Sequence, residues 1–224
     1  MELLSLCFIL IMAKTAHYYT KFEEGEFYHI YNRTVDKQLM FKNEDNYLFF
    51  LNKYDEYLSA FVDTYAYCLL GNHFHMLVRI KEAISFQKQS NLINYILPNS
   101  VKTTHDIVSH QFRKFFQSYS MAFNKQHERV GTLFQTPFKR AYLENDAYFT
   151  SLIYYIHANP QNHGLIGDFR EWKWSSYHTI LSDKPSKLKK QEVINWFYDI
   201  ETYKKYHDDI HINLKKNALD LDEM

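Results

Sequence analysis

The chain has 224 residues, of which 46% are hydrophobic and 23% charged, and its formal net charge is zero. This composition excludes an intrinsically disordered chain and allows one soluble domain with a large core. The neutral balance by itself gives no support to nucleic-acid binding. The two cysteines, Cys7 and Cys68, do not form a disulfide framework, so we expect a cytoplasmic protein.

Two compositional features leave alternatives open. Aromatic residues make up 18% of the chain, and they can fill a core or stack on nucleic-acid bases. Residues 111–140 carry a local excess of positive charge against the single acid Glu128. That excess can hold phosphates or form a solvated helix face. Its members are Arg113, Lys114, Lys125, Arg129, Lys139 and Arg140.

The N-terminal residues 1–12 are apolar but too short to span a bilayer, and they lack the basic start of a signal peptide. Met12 is a candidate for the true start, and a short membrane-associating tail is the alternative. We divide the chain into an N-terminal segment (1–24), a main domain (25–180) and a helical extension with an acidic tail (181–224). No membrane-spanning segment is expected.

The first half of the main domain predicts three strands and a helix. Residues Glu26–Asn32 are rich in β-formers and alternate, which predicts a strand. Residues Asn43–Phe61 carry apolar side chains at spacings of three and four, which predicts an amphipathic helix. Asp63–Leu70 is predicted as the second strand, and Gly71–Asn72 as a two-residue hairpin turn.

The third strand begins in the run Gly71–Ile80, which places two histidines two residues apart. Side chains of a strand alternate between its faces, so Phe74, Met76, Val78 and Ile80 should face the core. His73, His75 and Arg79 should then point to the opposite face. Neighbouring imidazoles on a rigid strand suit a divalent metal ion. A pair of surface or hydrogen-bonded core histidines is the alternative, and the pattern alone leaves both open.

The second half predicts a long helix, a short strand and another helix. Residues 81–103 are less regular and are interpreted as an insertion. A helix is predicted for Thr104–His127 and a strand for Pro137–Leu143. The last helix should be capped by Asn145 or Asp146 and end at Asn159, before Pro160. The order β-α-β-β-α-β is that of an α+β, ferredoxin-like split β-α-β fold, an antiparallel sheet with helices on one face.

The last of these helices carries a tyrosine and an asparagine four residues apart. Its core stripe should be Phe149, Leu152, Ile153 and Ile156. At about 100° per residue, Tyr155 and Asn159 share one flank of that stripe, and Tyr154 falls nearly opposite it. Spacing alone favours a boundary tyrosine and a helix-ending asparagine over a nucleophile beside a metal ligand.

Three ordered motifs change that balance. GNHFHMLVRI resembles the His-hydrophobe-His motif of the HUH endonucleases. YHIYNRTVDKQLMF precedes it, and LFQTPFKRAYL with YYIHANP follows it, in the order found in the single-tyrosine transposases. Over residues 27–177 the chain resembles their REP-associated tyrosine transposase branch, which is related to the insertion sequence 200-like enzymes.

The resemblance implies the HUH endonuclease fold and assigns the site. His73 and His75 would be paired metal ligands, Asn159 the third ligand and Tyr155 the nucleophile. Insertion sequence 200-like relatives usually have glutamine at the place of Asn159. The family often has Met-Pro-Asn before the first histidine, where this chain has Leu-Gly-Asn at residues 70–72. The implied cofactor is a divalent metal, Mg²⁺ or Mn²⁺.

The implied activity is that of a transposase-like, metal-dependent endonuclease and strand-transferase acting on single-stranded DNA beside a hairpin. It would work through a 5′-phosphotyrosine and need no nucleotide cofactor. Relatives include monomers and homodimers, and both stay open here. Candidate DNA contacts are Arg33, Arg113, Lys114, Lys139 and Arg140.

Three other functions compete with this one. The first is a domesticated hairpin-binding protein without catalysis. The second is a replication or plasmid-transfer nickase, although such enzymes often carry further domains. The third is a hydrolytic metalloenzyme in which water attacks and no covalent adduct forms.

Overall fold

The computed structural model describes residues 20–82, 103–145 and 147–210. The predictions for residues 1–12, for nearly all of the insertion and for the acidic tail lie outside these ranges. The main elements, in chain order, are β1 (Phe27–Arg33), α1 (Glu44–Leu58), β2 (Val62–Leu69), β3 (His73–Ile80), α2 (Thr104–Gln126), β4 (Lys139–Tyr142) and α3 (Ala147–Asn162).

The four strands form one antiparallel sheet in the order β2-β3-β1-β4. Strand β3 lies between β1 and β2, which therefore run in the same direction without pairing. This is the split β-α-β arrangement, so the predicted fold class is confirmed. The register places Tyr31 opposite His75 and Arg33 opposite His73. Both pairs belong to the histidine face of the sheet.

Helices α1 and α2 cover the face opposite the histidines. Alternate residues of β1 and β3, among them Ile30 and Phe74, pack there against Phe50 of α1 and Phe115 of α2. The rings of Phe50 and Phe115 meet edge-on, with 4.9 Å between their centroids. Many of the aromatic residues therefore fill the core, which was one of the two roles that the composition allowed.

The histidine face of the sheet is covered by α3. Its predicted stripe packs on the sheet, with Ile153 and Ile156 fully buried in the same cluster as Leu77 of β3. The helical spacing placed Tyr154 nearly opposite this stripe, and its side chain is nonetheless 0% exposed. Residues that follow α3 in the chain cover it, including Phe169 and His207. A pattern confined to one helix could not reveal this second layer.

The end of α3 also differs from the prediction. The helix continues through Pro160 to Asn162, although a proline usually stops a helix and disfavours helical backbone just before it. Here Pro160 stands in the last turn, where only one helical hydrogen bond is lost. The turn is held by the His163 backbone N–H, which donates to the Asn159 carbonyl at 3.0 Å.

The segment after α3 packs back on the body through its tryptophans. The Trp174 ring stacks on Tyr47 of α1 with 4.3 Å between centroids, and Trp172 Nε1 donates to the Leu69 carbonyl. Helices α4 (Tyr177–Leu181), α5 (Lys190–Trp196) and α6 (residues 200–210) follow. None of the described helices combines the length and apolar character needed to cross a membrane.

The turn between β2 and β3 is the predicted two-residue hairpin loop. Leu70 N–H donates to the His73 carbonyl at 2.8 Å and closes the loop around Gly71 and Asn72. The carbonyl of Gly71 accepts hydrogen bonds from the backbone N–H groups of Met40 and Phe41. The Leu39 side chain lies over Gly71, and its terminal methyl would be 2.8 Å from a Cβ at that position.

Candidate active site

The candidate site lies between the histidine face of the sheet and α3. Strand β3 contributes His73 and His75, and the central strand β1 contributes His29 and Tyr31 beside them. His75 Nδ1 and His29 Nε2 lie 2.9 Å apart in a buried hydrogen bond. The Tyr31 ring stacks on both His29 and His75, with centroids 4.8 and 5.6 Å away. Pairing of β1 with β3 therefore places His29 and Tyr31 where they hold the His75 ring.

The first histidine of the pair lies at the hairpin end of β3. Its ring is 5.4 Å from the His75 ring and edge-on to it. His73 Nδ1 lies 2.7 Å from the side-chain oxygen of Asn72, the second turn residue. A third imidazole, that of His163 just beyond α3, stands 4.8 Å from the His73 ring. Three histidines from two separate segments thus meet at this end of the sheet.

Helix α3 brings Tyr155 against this cluster. Its ring stands edge-on to His75 and to His29, at 5.6 and 6.1 Å between centroids. Asn159, one turn further on, is buried, and its Nδ2 donates to the Tyr155 carbonyl at 2.7 Å. The structure therefore brings Tyr155 to the predicted histidines and Asn159 to Tyr155.

Burial dominates the electrostatics of these groups. The pKa of His73 is lowered to about 4 by burial, with smaller effects of His163 and Arg33. The pKa of His75 is lowered well below its usual value by burial and then by His29. Both imidazoles are consequently neutral at physiological pH and keep a lone pair for a ligand. Burial raises the pKa of Tyr155, and a hydrogen bond with the Asn159 side chain offsets part of that rise.

The donor set fits a divalent metal ion with an open coordination sphere. His73 and His75 each use Nδ1 within the protein, which leaves Nε2 of each ring available. Asn159 donates through Nδ2, so its side-chain oxygen is the atom that can ligate. Within residues 20–82, 103–145 and 147–210, no group of three or more His, Cys, Asp or Glu side chains has a geometry suited to a metal.

Sequence reasoning missed His29 and His163. His29 follows the same alternation as Tyr31 in β1, and pairing β1 with β3 would have brought it to His75. His163 lies after Pro160, where the helix was predicted to have ended already. Both signals depend on the fold: one on which strands are neighbours and one on the helix continuing through a proline.

The predicted DNA-contacting residues divide between the two faces of the sheet. Arg33 and Lys139 lie on the histidine face, where Lys139 Nζ is 5.7 Å from the centre of the Tyr31 ring. Among the described residues, Arg33 Nε is a buried donor without a hydrogen-bond partner. A donor in that position, next to His73, is available to an anionic ligand.

The other three lie on or beside α2. Arg113 and Arg140 line an open groove of about 670 Å³ whose floor includes Phe116 and Phe138. Arg113 is exposed, and Lys114 beside it is half-buried. Arg140 is only 7% exposed, and its guanidinium packs over the Phe138 ring and donates to a backbone carbonyl. The structure does not bring this group together with the histidine site.

Comparisons with known proteins add to this geometry. No family model matches the chain. A Haemophilus influenzae protein named "Putative REP-associated tyrosine transposase" is 26% identical over 118 residues, or 52% of this chain. The match spans 59% of that relative's length. The solved "Structure of the REP associates tyrosine transposase bound to a REP hairpin" has a TM-score of 0.57 at 14% identity, covering 76% of this chain and 89% of the other.

The antiparallel sheet, with a histidine pair facing a helix tyrosine, has the same fold as that solved REP-associated tyrosine transposase. The chain thus resembles the REP-associated tyrosine transposases in sequence and in fold. The resemblance indicated by its motifs is therefore confirmed. The roles of individual residues stay predictions.

Proposed function

We propose that this protein is a metal-dependent endonuclease and strand-transferase that acts on single-stranded DNA beside a hairpin, with Tyr155 as the nucleophile. The observation that carries the proposal is the edge-on contact of Tyr155 with His75. These residues are 80 positions apart in the sequence, and the fold places them on facing layers. A tyrosine that served only to fill the core would not need neutral, partly exposed imidazoles such as His73 beside it.

The proposed reaction transfers a DNA phosphate to Tyr155 and then to another strand. The Tyr155 oxygen attacks phosphorus, so a P–O bond to tyrosine forms and the P–O3′ bond breaks. The phenol proton is lost and the 3′ oxygen gains one, which leaves a 5′-phosphotyrosine and a free 3′-hydroxyl. A free 3′-hydroxyl of another strand reverses the step and joins the strands. One phosphodiester replaces another, so no nucleotide cofactor is required.

His73 and His75 would hold the metal through Nε2, with the Asn159 oxygen as the third ligand. Mg²⁺ or Mn²⁺ bound there would polarise the scissile phosphate and offset developing negative charge. This matters because an ordinary phenol, with a pKa of about 10, is a poor nucleophile at neutral pH. Burial of Tyr155 raises its pKa further in the protein alone.

Two regions would hold the DNA. Arg33 and Lys139 border the site and would bind phosphates next to the scissile bond. The groove on the other face combines the exposed Arg113 with aromatic rings, which suits a base and its phosphate. Strand β4 is the sheet edge between the two regions. A single strand passing over that edge would reach both. The hairpin is proposed from the solved neighbour that is bound to one.

The decisive experiment is a covalent-adduct assay. The purified protein is incubated with single-stranded hairpin DNA from the repeats flanking its own gene and with Mn²⁺ or Mg²⁺, then analysed on a denaturing gel. A shifted band mapped to Tyr155 by mass spectrometry is the expected result. Tight DNA binding without an adduct would instead indicate a hairpin-binding protein without catalysis. Cleavage without an adduct would indicate attack by water.

A further inference from the structure

The metal-facing histidines each make a hydrogen bond through Nδ1 to a residue that has no role in the proposed chemistry. Asn72 contacts His73 Nδ1 at 2.7 Å, and His29 contacts His75 Nδ1 at 2.9 Å. Outer partners of this kind commonly fix the ring orientation and the tautomer of metal-bound histidines.

The orientation of the Asn72 amide follows from its second contact. Its Nδ2 donates to the Lys37 carbonyl at 3.1 Å, which turns its Oδ1 toward His73. An amide oxygen can only accept a hydrogen bond. His73 must therefore carry its proton on Nδ1, and its Nε2 has the free lone pair.

His75 needs the same tautomer if it is to bind a metal ion. Its Nδ1 is occupied by His29, so Nε2 is the one ring nitrogen left for a ligand. If His29 donated to Nδ1, a neutral His75 would carry its proton on Nε2 and could not ligate. His29 must then accept through Nε2. Its ring is held for this by the stacked Tyr31 ring, with 4.8 Å between centroids.

We infer that His29 and Asn72 are positioning residues that hold His75 and His73 as Nδ1–H tautomers, so that Nε2 of both rings faces one metal ion. The inference rests on the proposed function, since it concerns the metal site of that reaction. It adds two residues that act through the ligands and touch neither metal nor DNA. His29 matters more, because an imidazole can switch between donor and acceptor and an asparagine held by Lys37 cannot.

The test measures the tautomers of His73 and His75 and the metal affinity of the protein, both in the absence of DNA. Long-range ¹H–¹⁵N spectra of the metal-free wild type should show Nδ1–H on both His73 and His75, assigned with single histidine variants. An Nε2–H proton on His75 would overturn the inference. This measurement needs no variant of His29 and so does not depend on such a variant folding.

Metal affinity provides the second arm. His29→Phe should weaken Mn²⁺ binding about 10- to 100-fold, while His29→Gln, which keeps an acceptor near the Nε2 position, should recover to within roughly threefold of wild type. His127→Phe is the matched control, since it makes the same substitution at the end of α2, away from the histidine face of the sheet, and should bind Mn²⁺ like wild type. Unchanged Mn²⁺ affinity in a folded His29→Phe protein would overturn the inference. If the tautomers and the Mn²⁺ affinities are as expected but no DNA adduct forms, the inference about His29 and Asn72 is supported. Only the proposed function is then contradicted.

Discussion

The ring of Tyr155 meets the ring of His75 edge-on, with 5.6 Å between centroids and an interplanar angle of 84°. The two side chains belong to α3 and β3, which pack face to face. His75 is in turn held from the opposite side by His29 of β1. Side-chain contacts therefore link Tyr155 and His75 to His29 on β1, an inner strand of the sheet.

Replacement of Tyr155 by phenylalanine should abolish the covalent adduct and leave hairpin binding within a few-fold of wild type. The substitution removes one hydroxyl and keeps the ring that packs on His75 and His29. Gel assays of cleavage and fluorescence anisotropy of binding measure the two effects. Tyr154→Phe is the control, because Tyr154 is fully buried behind Phe169 and His207. Cleavage that survives in Tyr155→Phe would point to another nucleophile.

Removal of both histidines, His73→Ala with His75→Ala, should eliminate metal-dependent cleavage while the fold persists. His73 is partly exposed at the strand end, so its loss should cost little stability. His75 is buried, and its truncation should cost more, on the order of 1–3 kcal/mol. Circular dichroism and thermal unfolding report the fold, and calorimetry reports Mn²⁺ binding. Loss of the folded state would favour histidines that serve only the core.

The neighbouring residues Lys139 and Arg140 should behave differently on truncation to alanine. Lys139 lies on the histidine face, so Lys139→Ala should weaken DNA binding across sequences and reduce the salt dependence by about one phosphate contact. Arg140 packs over Phe22 and Phe138 and donates to the Thr20 carbonyl. Arg140→Ala should therefore lower stability by about 1–3 kcal/mol.

Binding titrations at several salt concentrations and thermal melts of the same two proteins distinguish these effects. The two variants lie on one strand and remove one positive charge each, so each is the control for the other. Equal losses of affinity and equal melting temperatures would contradict the assignment of the two side chains to different faces.

Stability should fall as the pH drops below about 6.5, because buried histidines stay neutral in the folded protein. His207 has its pKa lowered from 6.5 to about 4 by burial, while the unfolded chain keeps the ordinary value. The unfolded state therefore binds the extra proton between these values. Each such group costs about 1.4 kcal/mol of stability per pH unit in that window. Above pH 6.5 its contribution is constant.

Urea unfolding at pH 7, 6 and 5 measures this dependence. His207 Nε2 is hydrogen-bonded with His157 Nδ1, and its own Nδ1 with the Tyr203 carbonyl, so the neutral form satisfies both neighbours. His207→Gln should be less stable than wild type at pH 7, and the difference should shrink toward pH 5. A constant difference across the pH range would contradict the lowered pKa.

The sequence by itself predicted the strand order along the chain, the amphipathic helices and the alternation of β3. These depend on local periodicity and turn residues, which are encoded within short windows. Its motifs also indicated His73, His75, Tyr155 and Asn159 as one set. The predicted fold class makes β1 and β3 neighbours but does not give their register, so His29 was not connected to His75. The sequence also did not reveal that Tyr154 is buried, because Phe169 and His207, which cover it, belong to later segments of the chain.

Tertiary structure decided which groups share a microenvironment. The split of the basic residues between two faces follows from the strand register, since Lys139 pairs with Tyr31 and Arg140 with Ile30. The lowered histidine pKa values follow from burial by segments that are distant in the sequence. Local sequence fixes which side chains exist and which way they alternate, but burial, pairing and tautomer depend on segments distant in the chain. For this reason the sequence alone identified the histidine pair and Tyr155, but not His29, which supports them.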